Sequence, residues 1–422
     1  MDEIIRVQSN GPLRGEIQVE GAKNSALKLM AASLLIPGVT TLTNVPNIAD
    51  VYVMSEALTA LGVVIDSPAP HTITLDASNL TSYRAPYEVV AKMRASTAVL
   101  GPLVARSGHA SVALPGGCNI GSRKIDMHIS GLEILGATCK IEHGYIEALT
   151  PTGLHGMPVS LVFPSVGATE NLIMAAVLAE GTTIVSNAAR EPEIADLIDF
   201  LNTAGAQIEG KNTTTLTIVG VEELKPIEHR VVGDRIEAGT FIVAGCIAGG
   251  TITVSGFNPK HLGIVLDKLE QTGAVIERLD RGVRVTATDT IKPVDIQTLP
   301  YPGFPTDMQA QMMAYLTQAQ SSSIVTENVF ENRFMFADEI GRMGADIRIE
   351  GHYALVRGNT HLSGAPVVAP DLRGGAALVL AGLAADGATE VSNIYHVDRG
   401  YESFCEKLQS VGARVERLDR DV

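Results

Sequence analysis

The 422-residue chain contains no tryptophan, and tyrosine and phenylalanine raise its aromatic share to only 4%. Too few flat rings are present for a base-stacking platform. Its four cysteines, at positions 118, 139, 246 and 405, form no Cys-x-x-Cys pair. That scatter gives no metal framework and suits a reducing compartment, so no metal or other cofactor is expected. Positive charge is also short: 32 Lys and Arg stand against 47 Asp and Glu, a net charge of −15. Nonspecific binding to nucleic acid or to an anionic membrane is thereby disfavoured. An anionic substrate would need a local cluster of Lys and Arg. No apolar run approaches the length of a membrane span. The opening residues Met1-Asp2-Glu3-Ile4-Ile5-Arg6 lack the apolar stretch of a signal peptide, so a cytoplasmic location is expected.

What is present is enough apolar residue, 45% of the chain, for two domains with full cores. One segment recurs six times as a helix end, a glycine and then a strand-like run. Ala57-Leu58-Thr59-Ala60-Leu61-Gly62 and Lys268-Leu269-Glu270-Gln271-Thr272-Gly273 are two copies. The equivalent glycines are 62, 136, 205, 273, 344 and 412, separated by 68 to 74 residues. Each stands where a helix C-terminus calls for the left-handed conformation.

A second helix occurs once per repeat and is apolar on nearly every side. Its copies begin near Lys23, Arg94, Thr169, Glu237, Asp307 and Arg373. A helix without a polar face is buried. The pattern predicts an α/β protein of two domains, three repeats of about 70 residues in each, with central helices and sheets outside. The helix starts themselves are unusual, because four of the six, at Lys23, Arg94, Asp234-Arg235 and Arg373, include Lys or Arg where acids are the rule. A helix N-terminus is an anion site, so the set points to a bound polyanion. Thr306 or Asp307 is expected to cap its helix. The Asp307 carboxylate could alternatively accept a proton from a substrate hydroxyl.

One loop carries reactive chemistry: Leu114-Pro115-Gly116-Gly117-Cys118-Asn119-Ile120-Gly121-Ser122-Arg123-Lys124. A thiol among glycines and followed by cations should be exposed and easily ionised. The other three cysteines lie in or beside apolar segments and read as packing residues. The loop fits neither a dinucleotide fingerprint nor a P-loop.

Five motifs in order resemble those of the UDP-N-acetylglucosamine 1-carboxyvinyltransferases, in the enolpyruvyl transferase family. They are Gly21-Ala22-Lys23-Asn24-Ser25, the Gly-Gly-Cys118 loop, Phe304-Pro305-Thr306-Asp307-Met308-Gln309, Val329-Phe330-Glu331-Asn332-Arg333 and His396-Val397-Asp398-Arg399-Gly400-Tyr401. The resemblance spans nearly the whole chain. It implies an inside-out α/β barrel in each domain, with residues 23–230 in one and 1–22 with 231–422 in the other. It also implies the first committed step of peptidoglycan synthesis, and so a role in cell-wall growth, shape and division. Phosphoenolpyruvate would donate its carboxyvinyl group to the 3′-hydroxyl of UDP-N-acetylglucosamine, with phosphate leaving. No protein partner is implied.

By the same resemblance Cys118 is the proton donor and fosfomycin target, and Asp307 the base. Lys23, Arg123 and Arg399 would hold phosphoenolpyruvate, with Arg373 close by. Asn24, Arg94, Arg123, Lys124, Ile125, Asp126 and Met127 match sugar-nucleotide contacts. So do Ser165, Val166, Gly167, Asp307 and Val329, while Arg333 and Asp371 complete the substrate-binding set. Phe163 stands where some relatives carry a lysine near the diphosphate. The alternatives are a 3-phosphoshikimate 1-carboxyvinyltransferase, which would have no need of the Cys118 loop, and a non-catalytic paralogue that binds sugar nucleotide and regulates a partner.

Overall fold

The computed structural model describes residues 3–90, 94–114 and 125–419, the side chains of 90 and 94–96 excepted. Two compact units divide the described chain. The described residues between 21 and 232 form one, the continuous unit, and those of 3–20 and 233–419 form the other, the split unit. Each has its own hydrophobic core.

The expected central helices are present, and they explain the cores. In the continuous unit they are α1 (Lys23–Ala32), α2 (Leu100–Ser107, led in by a 3-10 stretch from Arg94) and α3 (Val166–Ala176). In the split unit they are α4 (Arg235–Ala248), α5 (Gln309–Leu316) and α6 (Leu372–Ala384). Helix α4 buries 13 of its 14 residues, which leaves no polar face to meet water. Phe241, Met312, Tyr315, Leu378 and Leu380 meet in that core, as Leu27, Met30, Leu103, Leu172 and Ile173 do in the other. Each such side chain contributes about 1.5–3 kcal/mol by leaving water.

Six four-stranded sheets surround the helices, three to a unit. In every sheet a short leading strand lies parallel to the strand that follows the central helix. An antiparallel hairpin lies on the other side. The six repeat glycines all have positive φ, between 95° and 108°, at the end of the second helix of their repeat. A side chain there would be strained, so glycine marks each helix-to-hairpin turn. Each unit is therefore an inside-out α/β barrel.

Chain order and sheet order differ by one strand in both units. In the continuous unit, Glu228–Arg230 at the far end supplies the leading strand beside Val39–Thr43, with His229 opposite Leu42. In the split unit, Glu3–Gln8 pairs with Arg414–Asp419 to make the last hairpin, Val7 opposite Val415. Leu13–Gln18 then supplies the leading strand beside Gly250–Ser255, Ile17 opposite Val254. The N-terminal residues thus belong to the unit that holds the C-terminus.

Candidate active site

In the split unit the segment Tyr301 to Pro305 feeds a single 3-10 turn, Thr306–Met308, before α5. Neither Thr306 nor Asp307 caps this helix through its side chain. The Asp307 carboxylate turns instead to two guanidinium groups. Oδ1 accepts from Arg333 Nη2 at 2.8 Å, and Oδ2 accepts from Arg373 Nη2 at 3.2 Å. A capping role loses here because charge-assisted bonds are the stronger ones.

The three groups come from separate elements. Arg333 follows the strand Ser323–Thr326, and Arg373 sits in the first turn of α6. Their side chains are 4% and 3% exposed, against 25% for Asp307. The carboxylate is the end that solvent reaches. Arg333 Nη1 and Arg373 Nε and Nη1 are buried without a hydrogen-bond partner among the described residues. Burying guanidinium N–H groups unpaired is costly, so an added anion would be stabilised at this corner. Burial works against the charge of Arg373, but Tyr401 and Asp307 outweigh it and hold its pKa above the usual value. The Tyr401 hydroxyl is itself pushed up by burial and is neutral at pH 7, so Asp307 is the partner that matters there.

Behind the carboxylate lies a network with no obvious sequence signal. Gln311 Nε2 donates to the Asp307 carbonyl at 2.9 Å and to Thr240 Oγ1 at 3.0 Å. Thr240 Oγ1 lies 3.0 Å from the Tyr401 hydroxyl, whose ring is 5.3 Å from the Arg373 guanidinium carbon. Only the i, i+4 spacing of Asp307 and Gln311 was available in the chain. Asp371, expected in the substrate set, is the N-cap of α6, its Oδ1 accepting from the amides of Arg373 at 2.9 Å and Gly374 at 3.0 Å. Val329 has its amide on Glu327 Oε1 at 2.8 Å. Arg399 ends the short helix Tyr395–Asp398. Burial and the Arg399 charge hold the His396 imidazole below its usual pKa.

In the continuous unit Lys23 opens α1 and is buried, with Nζ 2.8 Å from Asp50 Oδ2. Asp50, which the sequence reading did not single out, is itself buried. Asn24 is exposed beside it. The next residue, Ser25, is tied down by its hydroxyl on Asp196 Oδ2, and Asp196 Oδ1 meets His229 Nε2 at 2.9 Å. The start of α1 is therefore fixed from two sides.

Ser165 caps α3, its hydroxyl oxygen accepting from the Ala168 amide at 3.3 Å. The amides of Val166 and Gly167 open that helix, where N–H groups have no intrahelical acceptor. Asn171, one turn further in, holds His128 Nδ1 at 2.9 Å and accepts from the Gly101 amide at 2.7 Å. His128 belongs to the helix Asp126–Ile134, so this contact holds that helix against the first turns of α3. A Cβ on Gly167 would stand 3.2 Å from the His128 ring, and glycine permits that approach. Cys118, Arg123 and Lys124 lie outside the described residues, as does the side chain of Arg94.

Cys246 and Cys405 are buried, and burial pushes both thiols up to about 12. Cys139 differs from expectation in being only partly buried on its strand, yet burial and then Glu133 raise it to about 11. None of these three is a ready thiolate at neutral pH. Among the described residues no His, Cys, Asp and Glu cluster is placed to hold a metal ion, and no helix is long and apolar enough to cross a membrane.

Comparison with known proteins fits this geometry to a family. Residues 7–408 match the family model of EPSP synthase (3-phosphoshikimate 1-carboxyvinyltransferase). The UDP-N-acetylglucosamine 1-carboxyvinyltransferase of Corynebacterium jeikeium is 53% identical over 97% of both chains. The enzyme of the same name from Desulfosudis oleivorans is 52% identical over 99% of this chain and 100% of its own. Among solved structures, the enolpyruvyl transferase NikO from Streptomyces tendae superposes with a TM-score of 0.90 at 23% identity, covering 99% of each chain. EPSP synthase from Acinetobacter baumannii superposes at 0.77 with 17% identity, covering 99% of this chain and 100% of its own. These last two share the fold. Across nearly its whole length, the chain belongs to the enolpyruvyl transferase family, among the UDP-N-acetylglucosamine 1-carboxyvinyltransferases.

Proposed function

We propose that this chain transfers the carboxyvinyl group of phosphoenolpyruvate to the 3′-hydroxyl of UDP-N-acetylglucosamine and releases phosphate, the first committed step of peptidoglycan synthesis. The observation that carries the reading is Asp307 held between two buried arginines, with Arg333 Nη1 and Arg373 Nε and Nη1 lacking a hydrogen-bond partner among the described residues. A carboxylate so placed can take the proton of the attacking hydroxyl, while guanidinium groups stabilise charge on a phosphate or carboxylate.

In the addition step the sugar oxygen bonds to C2 of phosphoenolpyruvate as its proton passes to Asp307. A second proton, from Cys118, goes to the methylene carbon, which becomes a methyl group. In the elimination step the Cys118 thiolate takes a proton back from that methyl group, the double bond returns, and the C–O bond breaks to release phosphate, which carries off the proton that Asp307 took. Lys23, Arg123 and Arg399 are assigned to phosphoenolpyruvate, with Arg373 beside them. Asn24, Arg94 and the segments 123–127 and 165–167 are assigned to the sugar nucleotide. The steps call for proton transfer and charge stabilisation, which side chains supply. A cytoplasmic location accords with the scattered, unpaired cysteines, since three of the four are free thiols.

The 3-phosphoshikimate alternative is disfavoured by the comparison, because the EPSP synthase neighbour shares 17% identity and the sugar-nucleotide enzymes share 51–53%. Phosphate release decides the matter. It should require UDP-N-acetylglucosamine and phosphoenolpyruvate together and should not occur with shikimate 3-phosphate. Tight binding of the sugar nucleotide with no phosphate release would identify a non-catalytic paralogue instead.

A further inference from the structure

We infer that Glu327 is a positioning residue for the Asp307–Arg333 pair, an inference that rests on the transferase reading above. Glu327 is 2% exposed, and no cation pairs with it among the described residues. Its carboxylate is satisfied by four neutral donors. Oε1 accepts from Thr298 Oγ1 at 2.9 Å and from the amides of Val329 at 2.8 Å and Phe330 at 3.1 Å. Oε2 accepts from Thr306 Oγ1 at 2.9 Å. An ionised carboxylate is acceptor-only with several lone pairs, so it can hold all four at once.

Three of the four donors lie on the two segments that carry the pair. Thr306 immediately precedes Asp307. Val329 and Phe330 lead into Arg333, and the Phe330 ring centre lies 5.3 Å from the Arg333 guanidinium carbon. Thr298 adds a third point, because its Oγ1 accepts from the Asn328 amide at 2.9 Å. One buried side chain thus links the turn that presents Asp307 to the loop that presents Arg333, which then meet at 2.8 Å. Without the link the Asp307 turn and the Arg333 loop are held to each other less firmly, chiefly by the ion pair itself. A small error in a base's placement lowers turnover far more than it lowers substrate binding.

The test is steady-state phosphate release by the full chain, with kcat and both KM values measured. Glu327→Leu leaves two amides and two hydroxyls buried without their acceptor and need not fold, so the decisive variant is Thr306→Val. It removes one hydroxyl, keeps the shape and leaves the rest of the Glu327 contacts in place. Its kcat should fall about 10-fold or more while the KM for phosphoenolpyruvate stays within about 2-fold. Thr306→Ser keeps the hydroxyl and should restore turnover. Glu327→Gln keeps one oxygen for three donors, and its amide group can donate to the Thr306 hydroxyl, so it should stay within about 3-fold of the unaltered chain. Unchanged kcat in Thr306→Val, a loss confined to KM, no recovery in Thr306→Ser, or a Glu327→Gln variant as slow as Thr306→Val would each overturn the inference alone. An unaltered chain that releases no phosphate would overturn the transferase reading and this inference with it.

Discussion

Replacing Asp307 by Asn separates charge from shape at the proposed base. The carboxylate accepts two charge-assisted hydrogen bonds, from Arg333 at 2.8 Å and Arg373 at 3.2 Å. Asn offers one oxygen and turns an N–H₂ group toward the other guanidinium, donor against donor. Two buried cations then lose the carboxylate that both of them contact. Removing one partner of a buried pair costs about 3–5 kcal/mol. The 25% exposure of the Asp307 side chain argues for the lower end, roughly 3 kcal/mol. For a unit of this size that is a fall in Tm of about 6–12 °C. Added phosphate should stabilise the variant more than the parent, because an anion that binds only the folded form raises Tm by mass action. It would answer the charge that Asp307 had balanced. Turnover should drop on the order of 100-fold or more if Asp307 takes the hydroxyl proton. The assays are a thermal melt with and without phosphate, and kcat and KM by phosphate release. An unchanged Tm would show that the ion pairs carry no weight. A raised KM for UDP-N-acetylglucosamine with kcat intact would show that Asp307 only orients the sugar.

Three other expectations follow from particular side chains. Cys118→Ser should lose most turnover, since a hydroxyl is a far weaker acid. Cys118→Asp should retain some turnover and resist alkylation by an epoxide, and mass spectrometry finding the epoxide on Cys139, Cys246 or Cys405 would contradict the assignment. Glu237, buried in the first turn of α4, has its pKa pushed up to about 7 by burial against the pull of Lys407 at 2.7 Å, with Asp234 adding to the rise. Unfolded, it ionises near 4.5, so as pH rises from there to about 7 the unfolded state gives up a proton that the folded state keeps. Stability is full below that window and falls across it, by roughly 3 kcal/mol at most. Glu237→Gln should flatten the Tm-against-pH curve between about pH 4.5 and 7, and parallel curves would refute the link. Asp50→Asn leaves Lys23 without the carboxylate now 2.8 Å from its amine. It should raise the KM for phosphoenolpyruvate about 10-fold with a smaller change in kcat. A lowered KM would mean that Asp50 competes for Lys23 instead of placing it.

The repeats were legible because they are written in local chemistry. A glycine at each helix end and an apolar face all round each central helix are consequences of φ sterics and of burial, and both show in the order of residues. Gly62 and Gly412 have the positive φ that their position required. Helix α3 begins three residues ahead of Thr169, at Val166, because its start is set by the Ser165 cap and not by the first apolar residue. Leading strands carry no such signal. Glu228–Arg230 and Pro158–Ser160 are three residues long, too short for any period, and each is identified only by its parallel partner.

The site divides along the same line. Lys23, Asp307, Arg333 and Arg373 stand out in the chain because a cation or an acid at the start of a buried helix, or within a matched motif, has no packing reason to be there. Asp50, Glu327 and Thr240 do not stand out, because each meets a partner far away in sequence. Tyr401 reaches Thr240 across 161 residues, and Glu327 reaches Thr306 across 21. Their side chains are ordinary until the fold closes and leaves Thr240 and Glu327, among others, nine-tenths or more out of water. A buried polar group must then find its partners inside the protein. Asp307 shows how that requirement redirects a residue whose local spacing suggests a helix cap. Two buried guanidinium groups draw its carboxylate away from the helix amides, and it remains the most exposed of the three groups. The sequence therefore names the groups that would touch substrate more readily than the groups that would hold them in place. The second set is where substitutions chosen from the sequence alone would be expected to miss.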